Sequence, residues 1–560
     1  MAFSDQIFLM QPALFLTVFL VYLLTSVPVI YFEDNPMFIT TAYTLGFAHP
    51  PGYPLINMLG NLAGALPFGN FAFRCNVLSG VFAAAAVLFF FRSALIFAQS
   101  KWLALCFSLI FAFSGNLWTQ AVIFEVYTLF FALFFFLLWV SLSGRLNDFR
   151  WVLISAFLFG LGVTNHLALS VTLPGFIALW VKSKKSWKYQ MGCKNFVALM
   201  GAGVFSWTIN LYTLLRSLSP DENILFSWGK VNGFGELARF MTGYKTYKEF
   251  SFNSEPLVNR WDLFLEYVST AIPLWGWLFI VACLVFGVYK IGREEPKLLL
   301  SFTLFFSALL FYSFLQHAAM DIMLVIPWGL GILVALFGID RCSERSKKTV
   351  LIIGTPMLVC FFMVQFSRYD FHKEYSAYDY FSDISDTLPQ SGNLRLEQGV
   401  QLNYILLYGI NGPGEGFPKK KKNDSFSPYT VSSFKLPSPY GLFHSNRNML
   451  KGSKTELLWG HIRSYPFIEK EGPRVRRLTR NMFKDLVSSR ITLQRGYSYL
   501  QTGDHQKATE LFRAAAGKNT SPLLKDAINM LAYRNSSVAE ILLEVLLEKE
   551  VSPGLVRLLG

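Results

Sequence analysis

The chain alternates apolar stretches able to enter a bilayer with loops whose Lys and Arg gather on one side, a pattern few folds satisfy. Hydropathy and loop charge together predict about eleven spans, near 12–32, 76–98, 102–115, 117–142, 151–164, 167–181, 196–217, 269–289, 298–316, 322–339 and 349–367. With the N-terminus in the cytoplasm, the inner loops collect Lys101; Arg145 and Arg150; Lys182, Lys184, Lys185, Lys188 and Lys194; Lys290, Arg293 and Lys297; and Arg341, Arg345, Lys347 and Lys348. The outer turns between the shorter spans hold almost none. The expected fold is an all-α polytopic membrane bundle occupying residues 1–367. At 53% hydrophobic and 15% charged, with 56 Phe, the chain is too apolar for an ordinary soluble protein. Its net charge of +14 is then explained by cytoplasmic loops and a basic tail, and no nucleic-acid module accompanies it.

Six cysteines lie in or beside the apolar runs with no CxxC, which argues against a disulfide framework or a zinc site. The first apolar run is as long as a span and lacks a basic leader, so it reads as a membrane helix rather than a cleavable signal.

Under this topology three outer segments are long: 33–75, about 218–268, and everything after Arg368. The first opens on Glu33 and Asp34 and reaches His49, Pro50, Pro51, Gly52, Tyr53 and Pro54. Prolines at that density fix several φ angles and push the preceding residues out of helix, so a shaped loop is expected at the membrane surface. An acid pair and an imidazole there could move protons just outside the hydrocarbon; an ordinary polar loop has the same appearance. The apolar portion 56–70 is short and broken by Gly and Pro, which suits a re-entrant or interface-lying helix.

Three further spots stand out. Glu125 and Tyr127 sit in an apolar stretch read as a span, where a carboxylate faces either a water-filled cavity or a hydrogen-bonded structural partner. Asn165 and His166 fall between two apolar runs on the outer side, as structural groups or as ligand contacts. Arg74, at the mouth of the second span, could snorkel to headgroups or grip a phosphate with its two-pronged guanidinium. Glu33, Asp34, His49 and His166 could offer oxygen and nitrogen to a divalent cation, although no metal-binding spacing fixes them, and P-loop, GxGxxG and GxSxG sites are missing.

The tail divides into a mixed soluble region, 368–480, rich in Tyr, Ser, Pro and Gly, and a helical region, 481–560. In the latter, Gly496, Tyr499, Gly503, Ala508, Phe512 and Ala515 stand at tetratricopeptide spacing. The run Lys419–Lys422 reads as a solvated tip or a lipid-headgroup contact. Sequons at Asn423, Asn519 and Asn535 leave the compartment open; lack of a targeting signal points to a bacterial inner membrane, catalytic side and tail periplasmic, with the lumenal face of the endoplasmic reticulum as the alternative.

Several of these pieces, in this order, resemble a known family. They are Asp34 followed by FITTAYTLGFAHPPGYPL, LPFGNFAFRCNVLSG at 66–80, WTQAVIFEVYTL at 118–129, GLGVTNHLAL at 160–169 and, more loosely, ILFSWGKVNGFGELARFMTGYKTY at 224–247. The chain is similar to the bacterial domain of unknown function 2723 proteins and to the tetratricopeptide-tailed membrane O-mannosyltransferases, the transmembrane protein 260-like family. The resemblance implies a type C glycosyltransferase, inverting and dependent on a polyprenyl-phosphate sugar, that glycosylates a protein or glycan outside the cytoplasm. It implies Asp34, with Glu33 beside it, as the catalytic acid–base group, and His49, Tyr53, Arg74, Glu125, Tyr127, Asn165, His166 and Trp228 as substrate contacts. Relatives carry a second acid where this chain has Met37, and Trp-Gly-Asp where it has Trp228-Gly229-Lys230. The missing acid keeps an inactive scaffold of the same fold open, and the apolar bundle with its outer basic residues also fits a transporter or flippase of lipid-linked saccharides.

Overall fold

The computed structural model describes residues 3–32, 34–219, 231–242, 274–315, 320–375 and 377–378, together with 394–396, 408, 429–431, 443–445, 455–458, 461–464, 496, 499, 504–518, 541–545 and 548. The chain divides into two compact units, Met1–Pro28 with Phe38–His372, and Val29–Met37 with Lys373–Gly560. Glu33, Trp228 and His317 lie outside the described residues.

The first unit is helical. Its elements begin with α1 (Phe3–Leu24), α2 (Asn35–Thr44), α3 (Pro54–Gly64), α4 (Phe71–Phe97), α5 (Lys101–Ala112), α6 (Gly115–Ala121) and α7 (Tyr127–Leu142). They continue through α8 (Phe149–Asn165), α9 (Ala168–Val171), α10 (Leu173–Lys182), α11 (Cys193–Trp207), α12 (Leu211–Leu218) and α13 (Phe234–Met241). After these come α14 (Leu274–Glu294), α15 (Pro296–Leu315), α16 (Met320–Met323), α17 (Val325–Asp340) and α18 (Glu344–Tyr369). Several starts follow local chemistry. The side chains of Asn70, Ser100 and Asp148 accept from the backbone N–H of Phe73, Leu103 and Arg150, which caps α4, α5 and α8.

Helix α4 is central and packs against α1, α3, α5, α6 and α7. Around it, Phe90, Phe111 and Phe135 form an aromatic core, with ring centroids 4.5 Å apart for Phe90–Phe111 and 5.0 Å for Phe111–Phe135. Gly329 of α17 sits where a Cβ would come within 2.7 Å of the Phe135 ring, so α17 can approach only without a side chain there.

The expected eleven spans resolve differently. Five described helices are long and apolar enough to cross a bilayer: Asp5–Leu24, Phe71–Phe97, Cys193–Leu218, Pro296–Ser313 and Glu344–Tyr369. A sixth appears if α5 and α6, bent by 66°, count as one span. Four more apolar helices have only 10–17 residues. The chain is a multi-pass integral membrane protein. The expected span 117–142 is interrupted at 122–126, where the backbone leaves helix although its residues, VIFEV, are mostly apolar. Hydropathy does not register such a break, because it is made by hydrogen-bond partners and not by polar residues in the broken segment. The expected interface-lying helix at 56–70 is α3, whose 11 residues are too few to cross. It buries Ile56, Gly60 and Ala63 and exposes Met58 and Leu62.

Backbone outside helix must be satisfied internally when no water is at hand. Asn76 of α4 does this on two sides: its Nδ2 donates to the Val27 carbonyl (2.9 Å) and its Oδ1 accepts from the Phe124 N–H (2.8 Å). Val27 N–H in turn donates to the Val122 carbonyl at 3.1 Å, and the Glu125 N–H reaches Ser79 Oγ at 3.4 Å. Asn70 Nδ2 holds the Pro28 carbonyl at 2.8 Å.

In the second unit, β1 (Leu394–Leu396) pairs parallel with β2 (Tyr429–Val431), which pairs antiparallel with β3 (Phe443–Ser445). A second ribbon joins β4 (Thr455–Leu458) to β5 (His461–Ser464). These strands fall in the region expected to be mixed, so the all-α expectation holds for the described bundle and not for the tail. Helix α19 (His505–Lys518) buries Ala508, Phe512 and Ala515. Gly496 lies so close to Phe512 that a Cβ would meet its ring at 2.4 Å, the small-against-large packing expected from the spacing. Arg513 forms a two-pronged pair with Glu548, both contacts at 2.7 Å.

Asn76→Ala orphans the Val27 carbonyl and the Phe124 N–H together. We expect a loss of stability of about 1–3 kcal/mol for each group left unpaired, read as a lower melting midpoint in detergent. Asn70→Ala, which removes a helix cap and one carbonyl contact, should cost less.

Candidate functional site

The Pro-rich loop is held by neighbours on every side. Helix α2 ends at Thr44, and Leu45 takes a left-handed conformation (φ 50°) that turns the chain toward Phe47. The exposed carbonyls at this end are gathered by α12: Arg216 Nε donates to the Leu45 carbonyl at 2.7 Å and Tyr212 Oη to the same oxygen at 2.6 Å. Gly52 (φ +94°) and Tyr53 (φ 50°) then reverse the chain into α3. Among the described residues Leu45 and Tyr53 are the non-glycine residues with positive φ, a conformation that costs of order 1–3 kcal/mol and persists only where surroundings impose it. A Cβ on Gly52 would meet Thr213 Oγ1 at 3.0 Å and the Phe240 ring at 3.1 Å, so α12 and α13 close over the loop. Asn57 ties it from below, accepting from Thr41 Oγ1 (2.8 Å) and donating to the Gly52 carbonyl (3.0 Å).

His49 is half-buried in this loop. Its ring lies 5.2 Å from that of Tyr53, edge to face, and 6.1 Å from Phe38. Nδ1–H donates to the Pro50 carbonyl (2.9 Å), which makes Nε2 the accepting nitrogen of the neutral ring.

His166 has the opposite tautomer. It follows the last residue of α8, outside the helix, and its Nδ1 accepts from the Ala168 N–H at 3.2 Å, so the neutral ring carries its proton on Nε2. Phe130 stacks on it at 5.2 Å, Tyr127 tilts against it at 5.3 Å and Tyr312 meets it edge-on at 6.2 Å. Burial first, and then the charge that His49 would carry, push its pKa down to about 4. At neutral pH it is an uncharged hydrogen-bond donor and cannot serve as the cation that neutralises a phosphate.

Asn165, one residue earlier, gives Nδ2 to the Val126 carbonyl at 2.9 Å, which fixes the break before α7. Its Oδ1 is buried without a hydrogen-bond partner in the structure, a position that a substrate hydroxyl or a water can fill. Glu125 is buried too, in the break and not in a span as expected from hydropathy. Tyr127 opens α7 beside it.

Arg74 reaches backbone carbonyls. Its Nη1 donates to the Gly64 and Leu66 carbonyls (2.5 and 2.6 Å) and its Nε to the Asn70 carbonyl (3.2 Å), which caps the end of α3. Asp34 belongs to the segment Val29–Met37, grouped with the second unit, whereas His49, Tyr53, Arg74, Glu125, Tyr127, Asn165 and His166 belong to the first. Asp34 is partly buried in the turn that starts α2, where Asn35 Oδ1 accepts from the Tyr31 N–H at 2.8 Å. Among the described residues no three His, Cys, Asp or Glu side chains gather as a metal site. Sequence reasoning passed over Asn57, Tyr212, Thr213, Arg216 and Phe240, which position the loop; polar residues within an apolar run, as at 210–216, were the available signal.

The fold and these contacts can be set beside known proteins. Residues 34–190 match the family model "Protein O-mannosyl-transferase TMEM260 N-terminal domain". The match begins at Asp34 and contains His49, Tyr53, Arg74, Glu125, Tyr127, Asn165 and His166. Protein O-mannosyl-transferase tmem260 of Dictyostelium discoideum is 22% identical over 458 residues, 70% of this chain and 54% of that protein. Protein O-mannosyl-transferase TMEM260 of Mus musculus is 36% identical over 118 residues, 21% of this chain and 17% of that one. The chain spans about half the length, or less, of the curated TMEM260 relatives it matches. Among solved structures, ArnT from Cupriavidus metallidurans bound to undecaprenyl phosphate is similar with a TM-score of 0.49 at 12% identity, over 72% of this chain and 85% of that one. The oligosaccharyltransferase of Archaeoglobus fulgidus gives a TM-score of 0.41 at 10% identity, over 67% and 55%.

The buried neutral ring of His166 makes stability depend on pH with a definite sign. From pH 6.5 down to about 4 the unfolded chain takes up a proton that the folded one refuses. Stability therefore falls as the pH drops through that window, by at most about 1.4 kcal/mol per pH unit for one proton. Melting midpoints taken from pH 7 to pH 5 should decline in the wild type and decline less in His166→Gln.

Proposed function

We propose that this chain is a membrane glycosyltransferase that moves mannose from a polyprenyl-phosphate donor to a protein hydroxyl on the non-cytoplasmic side. The observation that carries the reading is the TMEM260 N-terminal domain match, which starts at the carboxylate proposed as the base and encloses the shaped His49 loop and the Asn165–His166 pair. The Dictyostelium discoideum and Mus musculus relatives are eukaryotic, which favours the lumenal side of the endoplasmic reticulum over the bacterial inner membrane expected from the sequence.

In this mechanism Asp34 accepts the proton of the acceptor hydroxyl as its oxygen attacks the anomeric carbon. The new C–O bond forms as the bond to the lipid phosphate breaks, and polyprenyl phosphate leaves with the electron pair, inverting the centre. A base in this position contributes roughly 10²–10⁴-fold. Phe38 of α2 packs against the rings of His49 and Tyr53, which seats the His49 loop on that helix. His166 supplies a neutral N–H and Asn165 a buried oxygen, groups suited to sugar hydroxyls. Arg74, whose guanidinium caps α3, positions the loop in this reading. Glu33 keeps the catalytic place beside Asp34, and Trp228 the substrate contact, that the resemblance implies.

The test is transfer of radiolabelled mannose from polyprenyl-phosphate mannose to a Ser/Thr peptide by the protein in proteoliposomes. Asp34→Asn should abolish transfer without changing expression or insertion, and His49→Ala should reduce it at least tenfold. Full activity in Asp34→Asn removes the assignment of the base. Movement of the lipid across the bilayer without transfer supports the flippase, and neither activity supports the scaffold.

A further inference from the structure

At the end of the bundle opposite His166, two cations share one indole. Arg92 of α4 lies 4.8 Å from the centroid of Trp139, and Arg145, in the turn after α7, lies 4.3 Å from the same ring. Arg145 also covers Trp151 at 5.1 Å. Helix α7 runs from Tyr127, beside His166, to Leu142, so its 16 residues separate the two ends by about 24 Å at 1.5 Å each.

Three of the other inner cations find carboxylates. Lys182 reaches Glu295 (2.9 Å), Arg341 reaches Glu294 (3.2 Å) and Lys347 reaches Glu344 (2.9 Å). Arg92 and Arg145 meet none among the described residues. Arg92 Nε donates to Gln11 Oε1 at 2.6 Å, a neutral acceptor, and Arg145 Nε is buried with no hydrogen-bond partner. Two partly buried guanidinium groups held by one ring repel each other, and the ring's π-face offsets this only in part. An anion with several oxygens would relieve the repulsion and satisfy the orphaned Nε in one step.

We propose that Arg92, Trp139 and Arg145 form a binding site for the phosphodiester headgroup of an anionic phospholipid. The surroundings favour a lipid over a free ion. Phe8 and Leu9, beside Gln11, are 73% and 50% exposed, and Ile96, one turn beyond Arg92, is 44% exposed, so hydrocarbon flanks the cations. Loop charge assigns this end to the cytoplasm, where anionic leaflets carry a negative surface potential.

The full chain, purified in detergent, can be titrated with dioleoyl-phosphatidylglycerol or dioleoyl-phosphatidylcholine and read by native mass spectrometry. We expect at least a tenfold preference for phosphatidylglycerol. The Arg92→Gln/Arg145→Gln double variant should lose it about tenfold while its binding of phosphatidylcholine is unchanged, with folding checked by its melting midpoint in phosphatidylcholine. If that variant does not fold, Arg92→Lys and Arg145→Lys keep the charge, remove the planar fork, and should each weaken binding about threefold. Unchanged phosphatidylglycerol affinity in a folded variant overturns the site. Displacement of the lipid by millimolar inorganic phosphate overturns the lipid as its ligand in favour of the free anion.

Discussion

A few side-chain amides replace the hydrogen bonds that three stretches of unwound backbone give up inside an apolar bundle. Residues 25–28, 45–53 and 122–126 carry peptide groups that water cannot reach cheaply, and each uncompensated group would cost kcal/mol. Asn76, Asn70 and Asn57 meet that need with both ends of a short, neutral side chain, and Asn165 with its Nδ2, joined by Ser79 at the Glu125 N–H. An amide offers a donor and an acceptor without a charge to desolvate, which suits it to holding two segments at once.

This arrangement explains why the candidate site stands where helices stop. The ends of α2, α3 and α8 lie next to non-helical backbone, and each is closed by a side chain from elsewhere: Arg216 and Tyr212 on α2, Arg74 on α3 and Asn165 on the start of α7. His49 and His166 are presented by these closures with opposite use of Nδ1, the first donating from it to the Pro50 carbonyl and the second accepting there from the Ala168 N–H. Rigid support of this kind lets a surface loop hold its side chains in one place while remaining open to a ligand.

The two ends of the bundle use cations differently. Near the candidate site, Arg74 and Arg216 are consumed by carbonyl oxygens, where they act as helix caps with a fixed reach. At the far end Arg341, Lys182 and Lys347 pair with Glu294, Glu295 and Glu344, and Arg92 and Arg145 instead share the Trp139 ring. Net charge alone hides this partition, since every one of these residues contributes equally to it.

The sequence by itself determined that the chain lives in a membrane, which loops are basic, and which short pieces are candidates for chemistry, because hydropathy, charge and motif spacing are local properties. His49, Asn165 and His166 could be singled out for that reason, as could the Gly496–Phe512 packing in the tail. Only the tertiary structure decided that the run at 117–142 breaks before Tyr127, that Arg74 grips carbonyls, and that Tyr212 and Arg216 arrive from about 165 residues away to finish α2. The physical reason is that a helix ends where its orphaned carbonyls and N–H groups find better partners, and those partners are distant in sequence. An apolar break such as VIFEV has the composition of a span, and the difference lies entirely in what reaches it.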